Sequence, residues 1–137
     1  MNMLSVDDYL NHWRVHYSHV VVDVDGELTE EMRAKAYRTV TRANELLEAF
    51  GEERAIASGW RPKAVNAVVP NAAKFSRHMT CEAIDLADPD GDLDNWCMNN
   101  TLNLQRLGLF LEHPSMTKGW CHVQIIAPKS GNRVFYP

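Results

Sequence analysis

Apolar residues recur every three or four positions from Met32 through Ala36, Val40, Ala43 and Leu47 to Phe50. That spacing lines one face of an α-helix. Thr29 stands in front of the run as an N-cap, Glu30 and Glu31 suit the positive end of a helix dipole, and Gly51 closes it, so a long amphipathic helix is predicted. Upstream, Ser5 caps a shorter helix reaching Tyr17, with Tyr9, Leu10, Trp13 and Tyr17 near one face. Val20-Val-Val-Asp-Val24 is β-branched and runs into Asp25-Gly26, which predicts a short strand or extended segment before a turn.

After Gly51 the helical period gives way to shorter runs. Arg54–Ser58, Ala83–Ala87, Leu109–Glu112, Trp120–Ile126 and Arg133–Tyr136 read as strands. Turns are expected at Gly59-Trp-Arg-Pro62, Asp88-Pro-Asp-Gly-Asp92, Pro114 and Lys129-Ser-Gly131, and Leu93, Trp96, Cys97, Leu102 and Leu104 predict a helix ending at Gly108. From Pro62 to Lys74 the chain carries two prolines and two asparagines with weak periodicity, a long irregular loop leading into His78. Helices early and strands late point to an α+β fold, a small, mostly antiparallel sheet packed against the long helix. In the strand from Trp120, strict alternation puts Trp120, His122, Gln124 and Ile126 on one face. Cys121, Val123 and Ile125 share the other, more apolar face, so His122 is expected to look into a cleft.

At 137 residues, with 45% apolar and 23% charged residues, the chain is expected to form one domain over 1–137. No run approaches the roughly 18 apolar residues of a membrane span. The first ten residues have no basic region followed by an apolar one, so a cytoplasmic protein without a signal peptide is expected. Three cysteines without CxxC spacing fit reduced thiols. A net charge of −4 with no basic stripe argues against nucleic-acid binding, and a monomer is expected.

Chemistry concentrates in three residues. His78 and Asp85 stand seven apart within Ser76–Leu86, and His122 follows in Gly119–Gln124. Two imidazoles and one carboxylate match the ligand count of a catalytic zinc site with one position left open. Asp85 lies in the apolar run Ala83-Ile-Asp-Leu-Ala87, where an inward carboxylate needs a cation or several donors. Spacing alone leaves another account open: a surface loop histidine, a turn-forming aspartate and a hydrogen-bonded sheet histidine. A closed structural zinc built from His78, Cys81, Cys121 and His122 is a further alternative, opposed by adjacent Cys121 and His122 facing opposite ways on a strand. His12, His16 and His19 lack an acidic partner and read as a solvated helix face.

A longer ordered string narrows the choice. Ser58-Gly-Trp-Arg61, Asn71-Ala-Ala-Lys-Phe-Ser-Arg-His78, Ala83-Ile-Asp85 and Trp120-Cys-His122 resemble the signature of the zinc D-alanyl-D-alanine carboxypeptidase and L-alanyl-D-glutamate endopeptidase family, which includes short phage endolysins. The resemblance covers residues 54–137. It implies a fold like that of these peptidases, with Zn2+ held by His78, Asp85 and His122, and Arg61 on a substrate carboxylate or carbonyl oxygen. Ser76 would hold the loop or touch substrate. Family members carry an acidic general base a few residues before the last histidine, often three before, where this chain has Gly119. Glu112 is the nearest upstream carboxylate and the expected substitute; His113 and Glu82 are rivals. Cys81 replaces the glycine usual three residues after the first histidine.

The resemblance thus implies a zinc metallopeptidase that cuts a peptide bond of the peptidoglycan stem. A phage or prophage lysis enzyme reaching its substrate through a holin pore is the leading expectation. A non-catalytic zinc-binding structural or wall-binding domain of a phage particle is the alternative, favoured by Gly119. A metal-free α+β interaction domain is a third.

Overall fold

The computed structural model describes residues 2–137. Ser5 Oγ accepts the Asp8 amide and starts α1 (Val6–Asn11), and α2 (Arg14–Tyr17) follows after a break. The extended segment expected at Val20–Val24 is instead a loop ending in α3 (Val24–Glu27). The Asp23 side chain accepts the Gly26 amide, and Val21 is 93% exposed. A β-branched run becomes a strand only where another strand is there to pair with it, and here a capping carboxylate wins. Thr29 then caps α4 (Glu30–Phe50), which ends at Gly51 as the periodicity predicts.

Five strands form one sheet: β1 (Ile56–Ser58), β2 (Ala83–Asp88), β3 (Phe110–Glu112), β4 (Gly119–Gln124) and β5 (Val134–Phe135), in spatial order β1-β2-β4-β3-β5. All neighbouring pairs are antiparallel except β3 with β5. The fold is therefore α+β with a mostly antiparallel sheet. The strand expected to reach Ile126 stops at Gln124, and the helix expected up to Gly108 is two, α6 (Asp92–Asn99) and α7 (Thr101–Leu107). Asn100 separates them with φ −135° and ψ 44°, outside helical space. Between β1 and β2 lie only α5 (Lys63–Asn66) and a 3-10 turn at Arg77–Thr80; the rest is irregular.

One face of the sheet is apolar. Leu86 pairs with Cys121, and Ile84 and Leu111 both pair with Val123; all five are fully buried and join a core with Ala36, Val40, Ala43 and Leu47 of α4. Burying a side chain of that size contributes roughly 1.5 to 3 kcal/mol, which makes this face the anchor of the sheet. The opposite face carries polar side chains. Two long-range bonds tie the helices to the chain at and before β2: Tyr9 Oη donates to the Ala83 carbonyl at 2.6 Å, and Thr39 Oγ1 donates to the Cys81 carbonyl at 2.8 Å.

Candidate metal centre and its cleft

A row of side chains crosses the polar face. Ser58 pairs with Asp85, Asp85 pairs with His122, and continuing the β3–β4 register sets Glu112 opposite His122. Directly opposed residues share a face with Cβ atoms about 4.5 to 5.5 Å apart, so these four side chains stand side by side. His78 comes from outside the sheet, on the 3-10 turn capped by Ser76, whose Oγ accepts the His78 amide at 3.2 Å.

The three expected ligands converge. His122 Nδ1 lies 2.8 Å from Asp85 Oδ1, and His78 Nε2 lies 3.3 Å from Asp85 Oδ2. One ligand atom from each residue falls within 4.8 Å of the others, and this is the one such cluster among the described residues. His78 Nδ1 faces the Gly59 carbonyl at 2.9 Å. A carbonyl can only accept, so that nitrogen carries a hydrogen, and Nε2, on the Asp85 side, is the nitrogen left to bind an ion. Two imidazole nitrogens and a carboxylate oxygen brought this close together fit a zinc ion. The account with three separate, unrelated residues is thereby overturned.

Gly59 has to be glycine for this to happen. A Cβ there would lie 2.2 Å from the Tyr9 carbonyl oxygen, so α1 could not approach and Trp60 could not donate its amide to that same carbonyl at 3.1 Å.

Electrostatics follows from burial and neighbours. Burial alone would raise the Asp85 carboxyl, but the His78 and His122 imidazoles overcome it and hold Asp85 well below the usual carboxylate range. For His122, burial disfavours the charged ring, and the Asp85 carboxylate, which accepts from the protonated ring, more than offsets that, raising it above an ordinary histidine. Glu112 is raised above the ordinary glutamate range, first by burial and against the pull of His122.

His78, Asp85, His122, Glu112, Arg61 and Ser76 all line one cleft of about 570 Å3, with Trp120 and residues 69–73 as further walls. Arg61 is half-buried, its Nη1 donating to Asn66 Oδ1 at 3.1 Å and its Nη2 to Ser58 Oγ at 3.3 Å. Burial lowers its pKa, and Asp85 acts in the opposite direction.

Other candidates fall elsewhere. The four-ligand alternative fails because Cys121 is buried on the apolar face beside Cys97, away from His122, and Cys81 sits in the core. Glu82 pairs with Lys35 and Arg77 outside the cleft, and His113 stacks on Tyr136. Gly119 pairs with Asp88, three residues along β4 from His122, so it belongs to the opposite side of the strand. Its φ of 96° is also one that side chains rarely adopt. Residue 119 is thus unsuited to carry a base for this cleft. Cys81 keeps a φ of 62°, the left-handed backbone that the missing glycine would favour.

Two contributors were not named from sequence. Asn66 has no local signal, because it matters only through Arg61 and through its Nδ2 donating to the Ala73 carbonyl at 2.9 Å. The Gly59 carbonyl is likewise invisible to any pattern of side chains.

Compared with protein-family models, the chain matches that of peptidase M15 over residues 8–124. That span begins in α1 and so takes in the N-terminal helices as well as the motif residues. Comparisons with curated proteins and with solved structures give no match.

Proposed function

This chain belongs to the peptidase M15 family, a family of zinc metallopeptidases, and from that premise we propose that it hydrolyses a peptide bond in the peptidoglycan stem. The observation that carries the proposal is the shared cleft in which His78, Asp85 and His122 stand beside Glu112 and Arg61. A zinc ion held by the three ligands supplies Lewis acidity towards water and towards a carbonyl oxygen. Glu112 takes the proton of the attacking water and returns it to the leaving amine; burial raises its pKa, which makes it a better proton acceptor than an ordinary glutamate. Arg61 binds a substrate carboxylate or the developing oxyanion, a task suited to a planar guanidinium already oriented by Asn66 and Ser58. Ser76 holds the His78 turn through its cap.

The 570 Å3 cleft accommodates a short peptide rather than a folded chain, in keeping with a stem-peptide bond next to a D-amino acid or after L-alanine. A phage or prophage lysis enzyme that reaches the wall through a holin pore is the biological setting in which this activity fits best.

Purified peptidoglycan treated with the zinc-loaded protein tests the proposal. New amino groups should appear with the parent, and Glu112→Gln should lower the rate by about 100-fold or more while zinc content stays the same. A zinc-loaded parent that releases nothing favours a non-catalytic zinc domain instead, the reading that Gly119 supports.

A further inference from the structure

We propose that Gln124 is a positioning residue that selects which nitrogen of His122 faces the metal, an inference that rests on reading His78, Asp85 and His122 as the zinc ligands. Gln124 is 4% exposed and shares the cleft face of β4 with His122. Its Nε2 donates to the Ile126 carbonyl at 2.9 Å, and its Oε1 lies 2.9 Å from His122 Nε2. The first contact fixes the second. A backbone carbonyl only accepts, so the amide nitrogen must point to Ile126 and the amide oxygen must point to the imidazole. An amide oxygen also only accepts, so His122 carries a hydrogen on Nε2, and Nδ1, 2.8 Å from Asp85 Oδ1, is the nitrogen whose lone pair the neutral ring keeps for the ion.

The selection is needed because a competing arrangement is close at hand. With the hydrogen on Nδ1 instead, His122 would make a well-formed bond to Asp85 and place that hydrogen where the ion must bind. Gln124 opposes this tautomer by leaving its own acceptor unmatched against a bare Nε2. His78 is set the other way round, with the Gly59 carbonyl holding Nδ1–H and Nε2 turned inward. The two rings therefore offer different nitrogens, each chosen by an acceptor behind it. A carboxylate in place of Gln124 could accept the same hydrogen, but would add a further negative charge to a region already holding Asp85 and Glu112.

Long-range proton–nitrogen NMR spectra of the zinc-loaded, 15N-labelled parent read the two tautomers directly. His122 should show its hydrogen on Nε2 and His78 on Nδ1; a His122 hydrogen on Nδ1 overturns the inference. Zinc affinity, measured by competition with a chromophoric chelator, should fall about 10- to 100-fold in Gln124→Leu and stay within a few-fold of the parent in Gln124→Glu. Parent-like affinity in Gln124→Leu, or an equal loss in Gln124→Glu, overturns it as well. Should Gln124→Leu fail to fold, the parent spectrum and Gln124→Glu still decide. A parent that takes up no zinc fails the metal-centre reading itself, before any variant is made.

Discussion

Asp85 keeps its charge against burial because two imidazoles stand within reach of its two oxygens. Glu112, in the same cleft, has no hydrogen-bonding imidazole of its own, and burial pushes its carboxyl up instead. Neighbouring carboxylates driven in opposite directions are the pattern expected where one serves as a ligand and the other handles protons. The second shift has a consequence for stability. A folded-state pKa above the unfolded one means that the folded chain holds the proton more tightly, so ionisation of Glu112 opposes folding. That penalty is absent below the unfolded value of about 4.3 and sets in as pH rises through the folded one. Glu112→Gln should therefore raise the melting temperature of the zinc-free protein at pH 7, with the gain fading near pH 4; a variant less stable than the parent at pH 7 would contradict the shift. Cys81 shows the reverse case of a residue with no such role. Burial pushes its thiol up to about 12, so it remains a neutral packing group.

Strands and loop divide the work between them. β2, β4 and β3 fix Asp85, His122 and Glu112 by register, so a slip of one residue in any strand would send its side chain into the apolar core. The loop from Pro62 to Phe75 has no ladder to hold it, and Asn66 supplies the tie between Arg61 and Ala73. Asn66→Ala should leave zinc content unchanged and lower kcat/KM on stem peptide about tenfold, mainly by raising KM, because a freed guanidinium must be ordered again on binding. Unaltered kinetics in that variant would show that Arg61 needs no such support. The β-branched run at Val20–Val24 illustrates the opposite limit. Its strand character has no partner strand to act on, and the Asp23 cap decides the local structure.

The residues of the candidate metal centre come from three separated stretches of chain, so a bound metal would tie α1, the 3-10 turn and the sheet together through Gly59, His78 and Asp85. Zinc at 100 times its Kd contributes about 2.7 kcal/mol, which for a chain of this size shifts the melting temperature by roughly 10 °C. Chelation should remove that shift in the parent, and His78→Ala should show none; a melting temperature indifferent to zinc would sink the metal centre. Among the described residues, no helix is long and apolar enough to cross a membrane. The long helix and its Thr29 and Gly51 caps were written into local spacing, as were the alternation around His122 and the order of the three ligands, because each depends on neighbours a few residues away. The break at Asn100, the loss of the Val20–Val24 strand and the parts played by Gly59, Asn66 and Gln124 were not, because each turns on a partner distant in sequence or on a backbone group that no side-chain pattern reports. Glu112 stood between the two. Its carboxylate was visible in the sequence, but its place beside His122 is set by the pairing of β3 with β4, and pairing is a property of the folded sheet.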